Sequence, residues 1–500
     1  MHLRTLTALT AFALTATITL AALPGADPTS ARMIAALDTV KSDSLKADLY
    51  FIASDEMAGR DTPSEEQRIA ARFIRARLER LNWSPGARDG FFHTYYLEQR
   101  KLDEAGCGIE FKASGGELKF AFGSDYFLPS TLDVHSSTTA GEVVFAGAGT
   151  KRDFDSKALQ GKWALCFDSG EDVSDVSRYA RRAKCLGLIM APGPDYAGEA
   201  YPARFKSVLE RQRRGGVNPP KKGATAAATE ESDEKNERFA TVMLTREALT
   251  RLLESAKQPA KPRIGASLGE LKEMRKQAAP AAVENVCGLW PGSDPELGLE
   301  TILISAHYDH IGVTRDGQIN NGADDNGSGT CGLMAIAEAL NVHGPLRRSV
   351  MLIWVSGEEK GLWGSQAWTD DPYLPGGRKA ICNINIDMIG RNAPDKLLVT
   401  PTSARKKDYN GLVRLTESLS GSEGFPSLGS ADKYYERSDQ ANFAKLGIPV
   451  MFLFSDVHED YHRPSDTAEK IDYDKIRRVS RLVLRVLDGM QTDNLEIGAR

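Results

Sequence analysis

Histidine and carboxylate residues follow a series of short apolar runs in the second half of the sequence. The residues at the ends of these runs are His307, Asp309 and His310 after 301–306, Glu358 and Glu359 after 349–355, Asp387 after 381–386, and His458 and His462 after 450–454. Each has an ordinary explanation by itself, because a carboxylate at a strand end is often a helix cap and a lone histidine is usually a hydrogen-bonded structural residue. Their appearance together at the ends of several runs instead predicts a shared metal site.

A glycine-rich segment between the first two runs, residues 321–329, carries two further candidates, Asp324 and Asp325. Either aspartate could cap the helical run that follows or could bind a metal ion. The residues alone do not choose between these two aspartates, nor between His458 and His462.

The candidate ligands are imidazole nitrogens and carboxylate oxygens without thiolates, a set that suits catalytic zinc, manganese or cobalt. They are more numerous than one catalytic zinc needs, and they suit two divalent ions roughly 3.5–4 Å apart that share a carboxylate and a water. In such a site the adjacent Glu358 and Glu359 can divide two tasks, one binding metal and the other accepting a proton from the water. Asp309 lies two residues after His307, so on a strand it would share that face and could orient the imidazole.

The elements that must position these residues are strands and helices in alternation. From about residue 283 onward, short apolar runs alternate with helical stretches. Continuously apolar strands in such an arrangement predict a largely parallel sheet covered by helices on both faces. The carboxyl ends of parallel strands meet at one edge, where α/β proteins bind ligands. The expected fold class is therefore α/β, with the candidate residues gathered at that edge.

The first half of the sequence has a different pattern. Residues 33–83 have helical periodicity, and residues 93–148 change to short alternating strands separated by glycines. A small β–α–β unit is predicted over 161–191. The stretch 211–238 is low in complexity and rich in charge, which is typical of a solvated loop.

Residues 1–22 have the pattern of a cleaved secretory signal, with Arg4 ahead of an apolar run that ends in small residues. A single transmembrane anchor is the alternative, since about 18 residues can just span a bilayer. The many threonines of the run make it weakly hydrophobic, and Pro24 and Gly25 end it. We therefore expect export, to the periplasm or as a secreted protein, without stable membrane insertion after signal cleavage.

The composition is that of a globular protein, with 41% hydrophobic and 26% charged residues, and it excludes wholesale disorder and a polytopic membrane protein. The net charge of −5 argues against a nucleic-acid partner, because proteins that bind nucleic acid are usually basic. The six cysteines are scattered singly, and no disulfide is predicted.

Five segments, in their order along the chain, resemble the motifs of the co-catalytic dizinc aminopeptidases. They are HYDHIG at 307–312, NNGADDNGSG at 320–329, SGEEKGLWGS at 356–365, NIDMIG at 385–390 and DYHRPSDT at 460–467. The superfamily includes bacterial leucyl aminopeptidases, glutamate carboxypeptidase, the transferrin receptor and glutaminyl cyclase. The resemblance implies a mixed, mostly parallel sheet sandwiched by helices and a site for two divalent metal ions, with Zn²⁺ as the expected metal.

The resemblance also implies a ligand set. Asp325 would be the carboxylate that bridges the two ions. His307 and Asp387 would complete the site of one ion. Glu359 and His462 would complete the site of the other.

Catalytic roles follow from the same resemblance. Glu358 would be the general base that activates a metal-bridging water and later returns a proton to the leaving amine. Tyr435 would match a tyrosine that stabilises the tetrahedral intermediate in relatives, although Tyr434 is adjacent. Residues 438–443 resemble a late active-site loop, but Gln440 stands where the family usually has a histidine.

The region 129–265 resembles a protease-associated domain inserted into the catalytic domain, on the evidence of GKWALCFD, ARRAKCLGLIMAP and ATVMLTREALTRLL. Inserts of this kind often shape substrate access and are not catalytic. The predicted division is a signal peptide at 1–22, a first part of the catalytic domain at 33–128, the insert at 129–265 and the main part of the catalytic domain at 270–490.

Together these observations predict an exported zinc metallo-aminopeptidase that acts on peptide substrates. A carboxypeptidase or dipeptidase of the same architecture is the alternative. A glutaminyl cyclase fits less well, because it works with one zinc and this chain has all five ligands of a two-metal site. A receptor-like binding module without catalysis also fits less well, since such relatives have typically lost metal ligands. The sequence does not indicate the oligomeric state.

Overall fold

The computed structural model describes residues 28–130, 135–220, 222 and 239–498. The predicted signal peptide at 1–22 lies outside these residues. Within them, no helix is both long enough and apolar enough to cross a bilayer.

The helices begin with short polar caps in several places. Ser64 accepts a hydrogen bond from the backbone N–H of Gln67 at the start of the third helix, and Asp472 accepts one from Lys475 at the start of the last. The helices are α1 (Pro28–Thr39), α2 (Ser42–Ile52), α3 (Glu65–Arg80), α4 (Val173–Arg182), α5 (Tyr201–Arg204), α6 (Lys206–Arg214), α7 (Arg246–Ser255), α8 (Gly329–His343), α9 (Trp363–Asp370), α10 (Gly411–Leu419), α11 (Gln440–Lys445) and α12 (Tyr473–Gly489).

In the part of the chain that the structure describes, the strands form one sheet of nine strands and one of eight. The strands are β1 (Ser84–Pro85), β2 (Phe92–Leu97), β3 (Gly108–Ala113), β4 (Gly116–Ala121), β5 (Tyr126–Phe127), β6 (Ser137–Gly147), β7 (Trp163–Phe167), β8 (Gly187–Ala191), β9 (Ala240–Leu244), β10 (Ser267–Arg275), β11 (Ala281–Trp290), β12 (Glu300–His307), β13 (Ser349–Val355), β14 (Lys379–Asp387), β15 (Leu398–Thr400), β16 (Gly429–Ser430) and β17 (Val450–Phe454).

The first sheet has the order β1-β11-β13-β12-β14-β17-β15-β16, and β2 also pairs with β11. Its four central strands β13, β12, β14 and β17 are parallel, as the apolar runs predict. Antiparallel pairs flank them on both sides, between β11 and β13 and between β17 and β15. The sheet is therefore mixed, with its parallel strands in the middle.

Helices cover both faces of this sheet, which explains why its central strands are continuously apolar. Ile302 and Ile304 of β12 pack into the larger core with helices that include α8 and α12. Leu303, between them, faces the opposite core, where it packs with Trp368 of α9 and Phe443 of α11. Alternate residues of one strand thus contribute to two separate cores.

The second sheet has the order β4-β3-β10-β6-β7-β8-β9-β5 and its own apolar core. Strands β6 to β9 are parallel to one another, and the remaining pairs are antiparallel. The strands of this sheet come from residues 108–275, a range that includes the region 129–265 in which an insert is predicted.

The strands of the second sheet extend beyond the predicted insert at 129–265 on both sides. Strands β3, β4 and β5, within the predicted catalytic segment 33–128, belong to the second sheet, and so does β10, which overlaps the predicted start of the main catalytic segment at 270–490. The chain leaves the first sheet after Leu97 and re-enters it at Ala281, and these two residues face each other in the β2–β11 pair. Residue alternation indicates that a segment is a strand. It carries no signal for the pairing of β3 with β10, which lies more than 150 residues away in the chain.

Candidate metal centre

The carboxyl ends of the parallel strands bring the predicted site residues together. His307 and Asp387 are the last residues of β12 and β14. The two glutamates follow β13, Asp325 lies in a short π-helical turn directly before α8, and His462 lies in the loop after β17. The predicted site residues that meet here are His307, Asp309, Asp325, Glu358, Glu359, Asp387 and His462.

One group of ligand atoms forms around His307. Its Nε2 atom lies 3.3 Å from Asp325 Oδ1 and 3.3 Å from Asp387 Oδ1. All three residues are buried. An imidazole nitrogen and two carboxylate oxygens at these separations could hold one metal ion between them.

A second group of ligand atoms forms on the other side of Asp325. His462 Nε2 lies 3.1 Å from Asp325 Oδ2 and 3.0 Å from Glu359 Oε2. The two oxygens of Asp325 thus face different groups, Oδ1 the first and Oδ2 the second. This is the arrangement that a carboxylate bridging two ions requires.

His310 also reaches the second group, although the family resemblance assigned it no role as a ligand. Its Nδ1 atom lies 2.7 Å from Glu359 Oε1 and 3.8 Å from Asp325 Oδ2, and its side chain is fully buried. Gly322 makes room for the ring, because a Cβ atom at that position would lie 2.5 Å from two ring carbons and the glycine has φ +59°. The sequence offered one indication that His310 lies at the site, namely its place in the HYDHIG segment, three residues after His307.

The neighbouring candidates Asp324 and His458 lie outside both groups. Asp324 Oδ1 accepts a hydrogen bond from the backbone N–H of Gly390 at 2.6 Å, and its Oδ2 lies 3.3 Å from His458 Nε2. Neither aspartate caps α8, whose N-cap residue is Ser328. Asp324 and His458 therefore pair with each other beside the site.

Asp309 orients two of its neighbours. Its backbone carbonyl oxygen lies 3.1 Å from His307 Nδ1, closer than its carboxylate, which is 3.7 Å away. Because a carbonyl oxygen only accepts hydrogen bonds, His307 carries a proton on Nδ1 and its Nε2 faces the aspartates. The Asp309 carboxylate also accepts a hydrogen bond from the backbone N–H of Glu358 at 3.2 Å.

Burial dominates the electrostatics of Glu358 and Asp439, two acids whose charges interact with His307 of the first group. It raises the pKa of Glu358 well above the usual value, and the Asp439 carboxylate raises it further, while His307 opposes the shift. Burial likewise raises the pKa of Asp439 to about 7. A raised pKa makes Glu358 a stronger proton acceptor than an exposed glutamate.

Burial acts on the pKa values of the imidazoles in the opposite direction, but the nearby carboxylates outweigh it. Burial lowers the pKa of His462, but hydrogen bonds to Asp325 and Glu359 outweigh burial and raise it to about 10. Burial also works against protonation of His307, and the charges of Asp387 and Glu358 outweigh it and raise the pKa of His307 well above its usual value. In the absence of metal, the raised pKa values of His307 and His462 favour their protonated forms, whose positive charge offsets the negative charge of the neighbouring carboxylates.

The residues present fit divalent metal ions. Among the described residues, Asp325 Oδ2, Glu359 Oε1 and His310 Nδ1 are buried and converge on one point, and their contacts with one another and with His462 lack ideal hydrogen-bond geometry. Buried polar groups left in this way are costly unless a partner such as an ion is supplied. The donor set contains only nitrogen and oxygen, and all six cysteines are unpaired.

In the described part of the chain, the ring of Tyr435, the predicted stabiliser of the intermediate, makes its contacts away from the ligand groups. The Arg405 guanidinium lies 3.8 Å above its ring, and the ring packs against the apolar core between the sheet and α11. Tyr461 lies at the site instead, with its ring stacked on His462 at 3.9 Å. Burial and the nearby site carboxylates, Asp325 foremost, raise the pKa of Tyr461. Its position directly before His462 in the sequence was the signal that could have identified it.

A separate cavity of about 850 Å³ opens at the second sheet. Its lining includes Phe145, Phe167, Asp168, Tyr196 and Arg204. No predicted site residue lines this cavity. The candidate site lies at the first sheet, where the two groups of ligand atoms are.

Comparison with protein families matches residues 285–487 to the model of peptidase family M28. Among curated proteins, the chain is similar to a probable leucine aminopeptidase of Arthroderma otae, with 28% identity over 195 residues, 37% of this chain and 52% of that protein. It is also similar to leupeptin-inactivating enzyme 1 of Streptomyces exfoliatus, with 32% identity over 193 residues, 37% of this chain and 38% of that protein. The chain spans about half the length, or less, of these relatives.

Two solved structures are similar over most of the chain. One is an aminopeptidase from Aneurinibacillus sp., with 19% identity, a TM-score of 0.46 and coverage of 93% of this chain and 97% of that chain. The other is BSAP, a zinc aminopeptidase from Bacillus subtilis, with 17% identity, a TM-score of 0.46 and coverage of 92% and 98%.

Proposed function

We propose that this chain, which belongs to peptidase family M28 through residues 285–487, is a zinc metallo-aminopeptidase that removes residues from the N-terminus of peptides. The observation that carries the proposal is the position of Asp325 between two groups of ligand atoms. The names of the relatives, among them leucine aminopeptidases, support the choice of reaction.

In this proposal each group holds one ion. His307 and Asp387 hold the first ion together with Asp325. Glu359 and His462 hold the second, also with Asp325. When bound, the ions would polarise the scissile carbonyl group and lower the pKa of the attacking water.

Glu358 is the proposed general base. It takes a proton from the attacking water as the oxygen bonds to the carbonyl carbon, and it gives the proton to the amine nitrogen when the C–N bond breaks. The position of Glu358 directly before Glu359, with its charge acting on His307, supports this role. Asp309 holds the backbone of Glu358 in place through its carboxylate.

We assign stabilisation of the developing oxyanion to Tyr461 rather than to Tyr435. A phenol O–H is a hydrogen-bond donor, and Tyr461 lies beside the ligand groups whereas the contacts of Tyr435 lie elsewhere. The pKa of Tyr461 is raised, so the hydroxyl keeps its proton at neutral pH.

Two further parts of the proposal concern the rest of the chain. We propose export directed by residues 1–22, which would be absent from the mature protein. We also propose that the second sheet belongs to a protease-associated-like domain that shapes substrate access. Determination of the N-terminal residue of the protein from its native host tests the first, and a start at Met1 would contradict it.

Metal analysis and a peptide panel test the reaction with the purified full chain. We expect two zinc ions per chain and release of the N-terminal residue from peptides with a free amino group, but not from their N-acetylated forms. Treatment with a chelator should abolish activity, and added Zn²⁺ should restore it.

The alternatives predict different results in the same panel. Release of the C-terminal residue from N-acetylated peptides would indicate a carboxypeptidase, and cleavage restricted to dipeptides would indicate a dipeptidase. Cyclisation of N-terminal glutamine without hydrolysis would indicate a glutaminyl cyclase. Peptide or metal binding without turnover would indicate a binding module.

A further inference from the structure

A row of buried polar side chains leads from the interior of the first sheet to Asp387. Ser438 Oγ lies 2.8 Å from Asp387 Oδ2, and Asn385 Nδ2 lies 3.0 Å from Ser438 Oγ. Gln440 Oε1 lies 2.9 Å from the same Asn385 nitrogen. Ser438 is 2% exposed, and Asn385 and Gln440 are fully buried. Burying these groups is costly unless each is hydrogen-bonded, so their alignment calls for an explanation.

The direction of each hydrogen bond in the row can be assigned, beginning with Gln440. Its Nε2 atom lies 3.2 Å from the carbonyl oxygen of Tyr434 and 3.0 Å from that of Tyr435. Carbonyl oxygens only accept, so the amide nitrogen must be on that side and Oε1 must face Asn385. Gln440 is therefore an acceptor for Asn385.

The orientation of Asn385 is fixed from both ends. Ser305 Oγ accepts a hydrogen bond from Asn383 Nδ2 at 3.0 Å, so it donates its own proton to Asn385 Oδ1 at 2.8 Å. The Asn385 nitrogen then has two protons, and it donates them to Gln440 Oε1 and Ser438 Oγ.

Ser438 is left with one possible direction for its proton. Because its oxygen accepts from Asn385, its single O–H donates to Asp387 Oδ2. That bond favours the ionised form of Asp387 and occupies Oδ2. The other oxygen, Oδ1, faces His307 Nε2 at 3.3 Å.

We infer that Gln440 and Asn385 are positioning residues for the metal ion that His307 and Asp387 hold. They fix the direction of the Ser438 hydroxyl, and through it they hold the Asp387 carboxylate with Oδ1 towards the ion. This inference rests on the proposed function. The inference gives a role to Gln440, which stands where the family usually has a histidine. The Gln440 amide accepts a hydrogen bond from Asn385 and donates to the carbonyl oxygens of Tyr434 and Tyr435.

Zinc titration of the metal-free full chain against a chromophoric chelator tests the inference, because it gives a dissociation constant for each ion. Gln440→Met keeps the length of the side chain and removes both its donor and its acceptor. We expect about 10–100-fold weaker binding of one ion. That ion should be the one lost in Asp387→Asn, and the ion lost in His462→Ala should bind as in the wild type.

Asn385→Asp is a second variant of nearly unchanged shape, and it keeps the test decisive if Gln440→Met fails to fold. It gives the Ser438 proton a competing acceptor, so it should weaken the same ion. Thr416→Val is the matched control, since it removes a buried hydroxyl of α10 that bonds only to Leu412 among the described contacts. It should change neither dissociation constant.

The inference is overturned if the variants weaken both ions equally or weaken neither. Equal weakening would indicate a general structural role for the row. If the wild-type chain binds two ions and the variants do not differ from it, the positioning role alone fails. If the wild-type chain binds no zinc, the proposed function fails with it.

Discussion

The Nε atom of Arg60 donates a hydrogen bond to the carbonyl oxygen of Tyr308 at 2.8 Å. Tyr308 is the residue directly after His307. The same guanidinium is fully buried and donates to the carbonyl oxygens of Asn321 at 2.8 Å and Gly322 at 3.0 Å. Tyr308 directly follows β12, and the other two residues lie in the loop before α8. One side chain from the N-terminal part of the chain thus joins two of the segments that carry ligands.

Arg60→Lys should therefore destabilise the protein. Lysine keeps the positive charge, but its one nitrogen cannot replace the three nitrogens, spread over the guanidinium plane, that bond to the carbonyl oxygens of the two segments. We expect urea unfolding of the metal-free protein to give a free energy of unfolding lower by about 2–4 kcal/mol. Arg75→Lys is the control, because Arg75 forms an exposed pair with Glu79 on α3 and its replacement should cost less than about 1 kcal/mol. Equal stability of Arg60→Lys and wild type would contradict the joining role.

Glu358→Gln should abolish most activity while leaving the metal content unchanged. An amide has nearly the shape of the carboxyl group but cannot accept the proton, so kcat should fall by about 10²–10⁴-fold. Steady-state kinetics and metal analysis on the same preparation check this. Glu254→Gln, on the exposed side of α7, should behave as the wild type. Near-normal hydrolysis by Glu358→Gln would show that another group is the base.

His462 and His310 should respond differently to replacement. His462 Nε2 is nearly equidistant from Asp325 and Glu359, as a ligand of a shared ion would be, whereas His310 lies much closer to Glu359 than to Asp325. We expect His462→Ala to retain one zinc ion per chain and His310→Ser to retain two, one of them bound more weakly. Loss of an ion from His310→Ser would identify His310 as a ligand.

The stability of the metal-free protein should decline as the pH rises above neutrality. The pKa of His462 is raised from 6.5 to about 10 in the folded protein, so between these values the folded state holds a proton that the unfolded chain has lost. Its stabilising contribution is complete below pH 6.5 and disappears as the pH approaches 10. Thermal unfolding from pH 6 to pH 10 should therefore show a steeper decline for metal-free wild type than for His462→Ala. Parallel curves for the two proteins would refute this assignment.

The second sheet should be removable without loss of the first. Leu97 and Ala281 are opposite each other in an antiparallel pair, so an Asn-Gly turn can replace residues 98–280. We expect the shortened chain to fold cooperatively and to bind two zinc ions. Size-exclusion chromatography, thermal unfolding and metal analysis check this. An aggregated or metal-free product would mean that the first sheet depends on the second.

The sequence predicts the parallel centre of the first sheet, because buried parallel strands are uniformly apolar. It also predicts the strand ends at which His307, Asp387 and the two glutamates lie, because the apolar run stops there and polar residues follow. It does not separate Asp324 from Asp325. The two residues are adjacent and of the same type. Only the folded chain shows that the Asp324 carboxylate accepts a hydrogen bond from the Gly390 backbone N–H and pairs with His458.

Other features depend on contacts between distant segments. The resemblance pointed to Tyr435 and did not indicate Tyr461. In the folded chain Arg405 stacks on Tyr435, whereas Tyr461 stacks on His462. The limits of the second sheet follow from the pairing of β3 with β10, which no local pattern encodes. The row from Gln440 to Asp387 likewise joins α11 to β14, so its residues are visible in the sequence but their alignment is not.

The pairing of β2 with β11 sets an order of events during synthesis. β2 emerges from the ribosome about 180 residues before its partner, which at about 5–20 residues per second is a delay of roughly 10–40 seconds. During that delay α1, α2 and α3 have no sheet to pack on, while the strands between Gly108 and Arg275 can already pair with one another. We therefore expect the N-terminal helices to wait longest for their packing partners in the nascent chain. The second sheet, which carries none of the proposed metal ligands, can complete its fold first.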